Sequence, residues 1–552
     1  MSIEEKLYQA YLEEVQQIEK FRTSHAATLY GDTPINSEDP YTKRLIEALA
    51  FYGARARLQG VQKVNTIHQN LFRQYFPYLV HALPAVAMLQ LKPTIRYPEK
   101  VVLPAGSELI FRTANQLKAT FQTLDEVTVF PFFLKNFEFG RRSEGGWQCS
   151  IEFTSTHIST DEVGFMRIYI NHLNSFFASL SVSFAIQYSL ERVQVFYDDE
   201  RMKSAKGRDC SVQCGYQSQE RRVFTHVIEQ IRSLLHFPQQ ELFVNIAIPP
   251  LEARWKSFTL VFEFNEKWPE SCRLNSESFI PFVVPIINLK KAYSEPIVDD
   301  GTKDSYPVLY PEPLYKFELH TVTNVSEILA VGTKPIAPGL LGIGGEGSYE
   351  VDYFQKEIEL DLPNAFLDPK TVSIEALWTQ PWFSNYVNEE LDLLFTDAQT
   401  LGINVRLLGS IYRYENRLEE DPNFLIRILS LKNQSRLTCN EILFIMNVMK
   451  DLSNSYFDAV PGLILELRVN EKFNPKQMNM LVEYEFFLKD LGNQKWELVL
   501  LFFKYLNDLL NCWLAIFEVE TKVHFQKIKR PFIFRRGANH ELSVLARDFF
   551  FS

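Results

Sequence analysis

Four groups of residues in this 552-residue chain have types and spacings that chemistry could use. Gly342-x-Gly344-x-x-Gly347 matches the glycine pattern of dinucleotide-binding loops. That chemistry needs a strand before the loop and a helix after it, so that the helix N-terminus faces the pyrophosphate. Here Pro335 and Pro338 precede the glycines and Ser348–Phe354 has the texture of a strand, so a plain loop is expected. Cys210 and Cys214, with His226 and His236 downstream, supply the atom types of a zinc site. The gap between the two histidines is far longer than the usual three to five residues, which favours two reduced thiols on a loop. His540-Glu541 lacks the second histidine of a zinc protease, and neither a G-x-S-x-G elbow nor a P-loop occurs. Asp198-Asp199-Glu200 offers adjacent carboxylates, but acid–base pairs act across a fixed gap in space, and neighbours after a strand make a solvated turn. No catalytic, cofactor-binding or metal-binding residue is expected.

The elements that would have to position any such group point elsewhere. The net charge of −11, from 57 basic and 68 acidic residues, argues against duplex nucleic acid as a partner, because affinity there comes from neutralising phosphates. One basic cluster, Lys527, Lys529, Arg530, Arg535 and Arg536 around Phe532–Phe534, reads as a solvated or protein-binding tail. Aromatics are abundant, with 45 Phe, 24 Tyr and 7 Trp, and large rings dominate cores and interfaces alike. Six scattered cysteines suit a reducing compartment. The acidic, amphipathic N-terminus has no apolar run of the secretory kind. Residues 496–517 are long enough for a membrane span, yet Glu497, Lys504, Asp508 and Asn511 share one helical face, as in a largely buried amphipathic helix of a cytosolic protein.

Residues 1–90 read as helical, and from about residue 88 the texture turns to short strands. Residues 174–190 fit a buried helix or a β run equally by periodicity. Asp39 and Pro40 start a helix as cap and first residue, and Leu45, Leu49, Tyr52 and Ala56 recur along it at helical spacing. Pro77 and Pro84 end the second helix before an extended exit.

The segment 39–93 resembles the N-terminal signature of the TssF family, a baseplate subunit of bacterial type VI secretion systems. Asp39-Pro40-Tyr41, Arg44-Leu45, Glu47, Ala50-Phe51, Ala54-Arg55, Tyr75-Phe76-Pro77-Tyr78 and Pro84 carry the resemblance. Further landmarks are Phe237-Pro238 with Leu242-Phe243, then Pro285-Ile286-Ile287-Asn288-Leu289, Glu295-Pro296 and Ser305-Tyr306-Pro307. The C-terminal third is looser: Leu377-Trp378-Thr379-Gln380 stands where Cys-Thr-Asn is usual, and 424–433 lacks the family's Trp and His.

The resemblance implies an α+β chain, an N-terminal helical segment followed by several β-rich domains with interspersed helices, similar to the wedge proteins of phage baseplates. It favours a helix over 174–190 followed by a strand at Val193–Tyr197. The boundaries expected are 1–90, 91–300, 301–460 and 461–552. It also implies a structural part and no enzyme: a cytosolic wedge subunit at the inner membrane, with TssG, a second copy of itself, TssK, TssE and the spike protein as partners. Helices 1–29 and 39–75 would join a bundle with TssG and the second copy, with Leu45, Leu49, Tyr52 and Ala56 facing inward. The competing expectation is that this face packs within the subunit. A wedge protein of another contractile system is the nearer alternative function, and a soluble β-rich hydrolase the remote one.

Overall fold

The computed structural model describes the chain except residues 1–2, 31–39, 95–99, 160–161, 199–206, 216–225, 251–253, 271, 340–346, 354, 387–390, 396–402, 417–422, 433, 435, 475–478, 492–495, 515–516, 527–529 and 536–552. It divides into two units: residues 1–77 with 421–430, and the remainder.

The first unit is built on two long helices, α1 (Ile3–Tyr30) and α2 (Pro40–Tyr75). Pro40 occupies the first helical position, where its missing N–H is not needed; Asp39, its expected cap, lies outside the described residues. The helices run antiparallel: Arg57 on α2 pairs with Glu13 at 2.6 Å and Glu14 at 3.3 Å on α1. Their seam is made of small side chains. Ala10, Ala50 and Ala54 are buried, and a Cβ on Gly53 would lie 3.7 Å from Glu14. Small residues let helix axes approach closely, so the hairpin forms with little bulk inside it.

The second unit begins at Tyr78, within the one-turn helix α3 (Pro77–Val80), and then turns to sheet. A six-stranded antiparallel sheet runs Asp392–Phe395, Glu108–Arg112, Lys118–Thr123, Val283–Ile287, Val86–Pro93, Ile403–Tyr412. Its two edge strands come into contact, so the sheet curls towards a barrel around Phe111, Phe121 and Phe383. An eight-stranded sheet follows, from Phe279–Pro281 at one edge to Phe132–Arg141 at the other. The ambiguous stretch resolves here into α4 (Phe176–Ser189), capped by Ser175, and a strand Leu190–Tyr197. Helix α4 is buried almost all round, which explains why no periodicity marked it. Pro104-Ala105-Gly106 is a turn, with Gly106 at φ +85°, but the flanking strands pair elsewhere: Val101–Leu103 with Val127–Val129, and Glu108–Arg112 with Lys118–Thr123.

Residues 290–379 contribute a five-stranded and a four-stranded sheet around a shared core of Trp378, Ile358, Val372, Ile374 and Val325. Helices α5 (Val227–His236) and α7 (Cys439–Met449) begin with capping boxes, His226 with Glu229 and Thr438 with Glu441. Between them in sequence, α6 (Asn423–Leu431) belongs to the first unit through residue 430. The C-terminal part is a sheet in the order Ile464–Asn474, Asn479–Leu488, Glu518–Phe525, Phe532–Arg535. Its central parallel pair is joined through α8 (Trp496–Trp513), as a parallel crossover requires. Among the described residues no helix is long and apolar enough to cross a membrane, a statement silent on β-barrels. The polar stripe on α8 turns inward: Lys504 pairs with Glu241 at 3.0 Å, and Asn511 binds both the N–H and the C=O of Val519.

Candidate partner interface

The groups with chemical potential separate in the fold. Cys210 and Cys214 lie four residues apart on the strand Arg208–Cys214, roughly 13 Å along an extended backbone. Burial pushes the two thiols up to about 11 and about 12, so neither is a thiolate. His226 accepts from the Ile228 N–H at the start of α5 and stacks on Tyr78, with ring centres 4.1 Å apart. His236 is buried at the other end of that helix, 4.0 Å from Glu415. Among the described residues no three His, Cys, Asp or Glu side chains gather as a metal site. Gly342 and Gly344 lie outside the described residues; Gly347, at φ +83°, leads into a strand, Ser348–Asp352, and not a helix. The Asp198 carboxylate accepts from the Lys256 and Ser257 N–H groups at 2.9 Å each and closes a turn; Asp199, Glu200, His540 and Glu541 are outside the described residues. Of the basic cluster, Arg535 pairs with Glu520, while Lys527, Lys529 and Arg536 are likewise outside.

Two landmarks distant in sequence do meet. The Asn288 amide oxygen accepts from the Gln380 N–H at 2.7 Å and the Thr379 hydroxyl at 3.1 Å. Its NH2 donates to Thr120 O at 2.8 Å, and the Gln380 amide oxygen accepts from Thr120 N, also at 2.8 Å. Gln380 donates in turn to Tyr315 O at 2.8 Å. This buried, fully engaged amide pair ties the curled six-stranded sheet to the sheets of residues 290–379. Residue types gave no sign that Asn288 and Gln380 would touch.

A second buried knot holds the exit from α3. Arg232 is buried, and its guanidinium donates to Tyr78 O and His81 O at 2.9 Å and to Met449 O at 3.5 Å. Around it His81 and His320 stack 5.4 Å apart, each bonded to main chain of the other's segment. Burial, then mutual repulsion and Arg232, holds His81 down to about 3; burial first holds His320 at about 4. Both rings are neutral. These knots position backbone.

The large exposed feature is on the helical hairpin. Leu45, Leu49 and Tyr52 are 61%, 55% and 67% exposed, and Ala56 is exposed beside them. They lie on the side of α2 opposite Ala50 and Ala54, so this stripe does not pack on α1. Tyr41 extends it, Phe51 is exposed elsewhere on α2, and Tyr8, Leu12 and Phe21 are exposed on α1. Apolar side chains on this scale, at helical spacing and open to water, are what a partner helix covers.

A profile of the family described as "Type VI secretion system, TssF" matches residues 22–338, more than half of the chain. The chain belongs to the TssF family. Its fold is similar to a chain of the TssK-TssF-TssG baseplate subcomplex of a type VI secretion system, solved by cryo-electron microscopy, at TM-score 0.71 and 16% identity, covering 90% of this chain and 99% of that one. It is also similar to a chain of the baseplate complex from the type VI secretion system, at TM-score 0.56 and 13% identity, covering 96% and 98%. At such identities the likeness concerns the fold. No curated protein matches in sequence. In this TssF chain the mixed α+β architecture with its N-terminal helices is that of the baseplate structures.

Proposed function

We propose that this chain is a structural wedge subunit of a type VI secretion baseplate, and that the exposed stripe Leu45, Leu49, Tyr52 and Ala56 on α2 packs into a helical bundle with TssG and a second copy of the chain. The observation that carries the reading is that stripe: in the N-terminal half of α2, Ala50 and Ala54 are buried while Leu45, Leu49 and Tyr52 face water. A monomer gains nothing from that arrangement, whereas a bundle buries it at about 25 cal/mol per Å2. TssK would link the wedge to the membrane complex at the cytosolic face of the inner membrane, with TssE and the spike protein completing the baseplate. The work is mechanical, rigid geometry before firing and rearrangement on contraction, and needs no cofactor or catalytic group.

The test is co-expression with the TssG-like partner. Leu49→Asp with Tyr52→Asp abolishes co-purification while leaving circular dichroism and the melting point of the lone chain unchanged, because both residues are already exposed. Retention of the partner by a folded double variant contradicts the assignment of this face.

A further inference from the structure

The C-terminal sheet ends on the strand Ile464–Asn474, which pairs with Asn479–Leu488 on one side and with no strand on the other among the described residues. It is eleven residues long, and an open edge of that length is a template for another strand. Natural edges are guarded by charge, bulges or shortness. This one has an irregularity between Ile464 and Glu466, after which the register runs unbroken.

The guarding charges are patterned. Glu466, Arg468, Asn470 and Lys472 share one face of the strand, opposite Phe487, Glu485, Glu483 and Leu481. Antiparallel pairing of this segment with itself must place residues of equal parity opposite each other, so that both sheets keep the same faces. A register centred on residue 468 sets Arg468 against Arg468, and one centred on 470 sets Arg468 against Lys472. A register centred on Val469 sets Glu466 against Lys472 twice and Arg468 against Asn470 twice. It also carries Leu465 and Phe473, 53% and 58% exposed, to opposite positions at the two ends. The charges therefore oppose the neighbouring registers and favour this one.

We infer that Glu466–Lys472 pairs antiparallel with the same segment of a second copy, Val469 opposite Val469, joining two four-stranded sheets into one of eight. The contact is isologous, so a single pattern serves both copies. Main-chain hydrogen bonds supply the attraction; Glu466 and Lys472, which pair with Arg468 and Glu483 within the sheet but stay more than half exposed, turn to each other across the seam and set the register. Neither the surface nor its test depends on the helical interface proposed above.

The experiment is sedimentation equilibrium of the full-length chain with a charge-exchange series, folding checked by circular dichroism. Glu466→Lys and Lys472→Glu each weaken self-association about tenfold or more, since each sets two like-charged pairs face to face. The double variant exchanges both partners and returns to within about threefold of the parent. Val469→Cys gives a disulfide-linked dimer under mild oxidation, above the background of the six native cysteines. Single reversals without effect, or a double variant no better than the singles, overturn the inference. If the reversals fail to fold, the cysteine decides: no linked dimer, or linkage only to a different protein in extract, overturns it.

Discussion

Arg232 carries its charge into a buried setting and donates to main-chain carbonyls, those of Tyr78, His81 and Met449. Its pKa is lowered to about 10 by burial, still far above neutrality, so the guanidinium stays charged. Arg232→Met leaves those carbonyls unsatisfied and is expected to cost about 3 kcal/mol, read as a lower urea midpoint at constant m-value. The neighbouring histidines give a pH prediction. His81, His236 and His320 are held well below 6.5 in the native chain, so the unfolded chain takes up these protons first. Their contribution is complete above pH 6.5 and is lost as pH falls towards 4, at about 1.4 kcal/mol per pH unit for each ring. His320→Gln flattens the slope between pH 6 and 4.5 by that amount. Asp508 behaves oppositely. Burial beside Glu241 raises its carboxyl to about 6 against the attraction of Lys504, so the ionised form is a burden above pH 6 that disappears as pH falls towards 4. Asp508→Asn is therefore expected to stabilise the chain by about 2 kcal/mol at pH 8 and by almost nothing at pH 4.5.

At the scale of elements, what the sequence announced was periodicity, and what it concealed was direction. The stripe Leu45, Leu49, Tyr52 and Ala56 was legible because its apolar residues recur every three or four positions. The same logic predicts burial inside the subunit equally well, yet α1 meets the alanine face. Small residues look unremarkable in a hydropathy pattern, although they decide how closely two helices approach. Enlarging that seam is thus the sharper test of the hairpin: Ala54→Phe should separate α1 from α2 and cost about 2 kcal/mol, whereas Leu49→Asp leaves stability within about 0.5 kcal/mol. Helix α8 shows the converse. Its charges were read as a polar stripe, and the stripe is real, but the partners are protein groups, Glu241 and the main chain at Val519. Strand existence was readable, as at Val193–Tyr197, while pairing was not: the segments flanking Gly106 pair with strands elsewhere. Partner choice in a sheet depends on contacts between distant residues, which one sequence does not display.

For the whole molecule, the family was readable from dense local signatures between residues 39 and 296, while the reason several of those residues are as they are appears only in three dimensions. Asn288 and Gln380 sit in separate landmarks and make one amide knot, and the Gln380 amide oxygen also accepts from the Thr120 N–H. Asn288→Ala should unfasten the two sheet systems together, with a loss of about 3 kcal/mol and exposure of Trp378 fluorescence to quencher. The proposed helical interface makes the chain one part of a larger bundle. The most direct measurement is the mass of the complex formed on co-expression with the TssG-like partner, by size exclusion with light scattering. The account predicts a stable complex holding two copies of this chain per TssG-like chain, which the Leu49→Asp, Tyr52→Asp variant does not form. A well-behaved monomer that ignores the partner would contradict it.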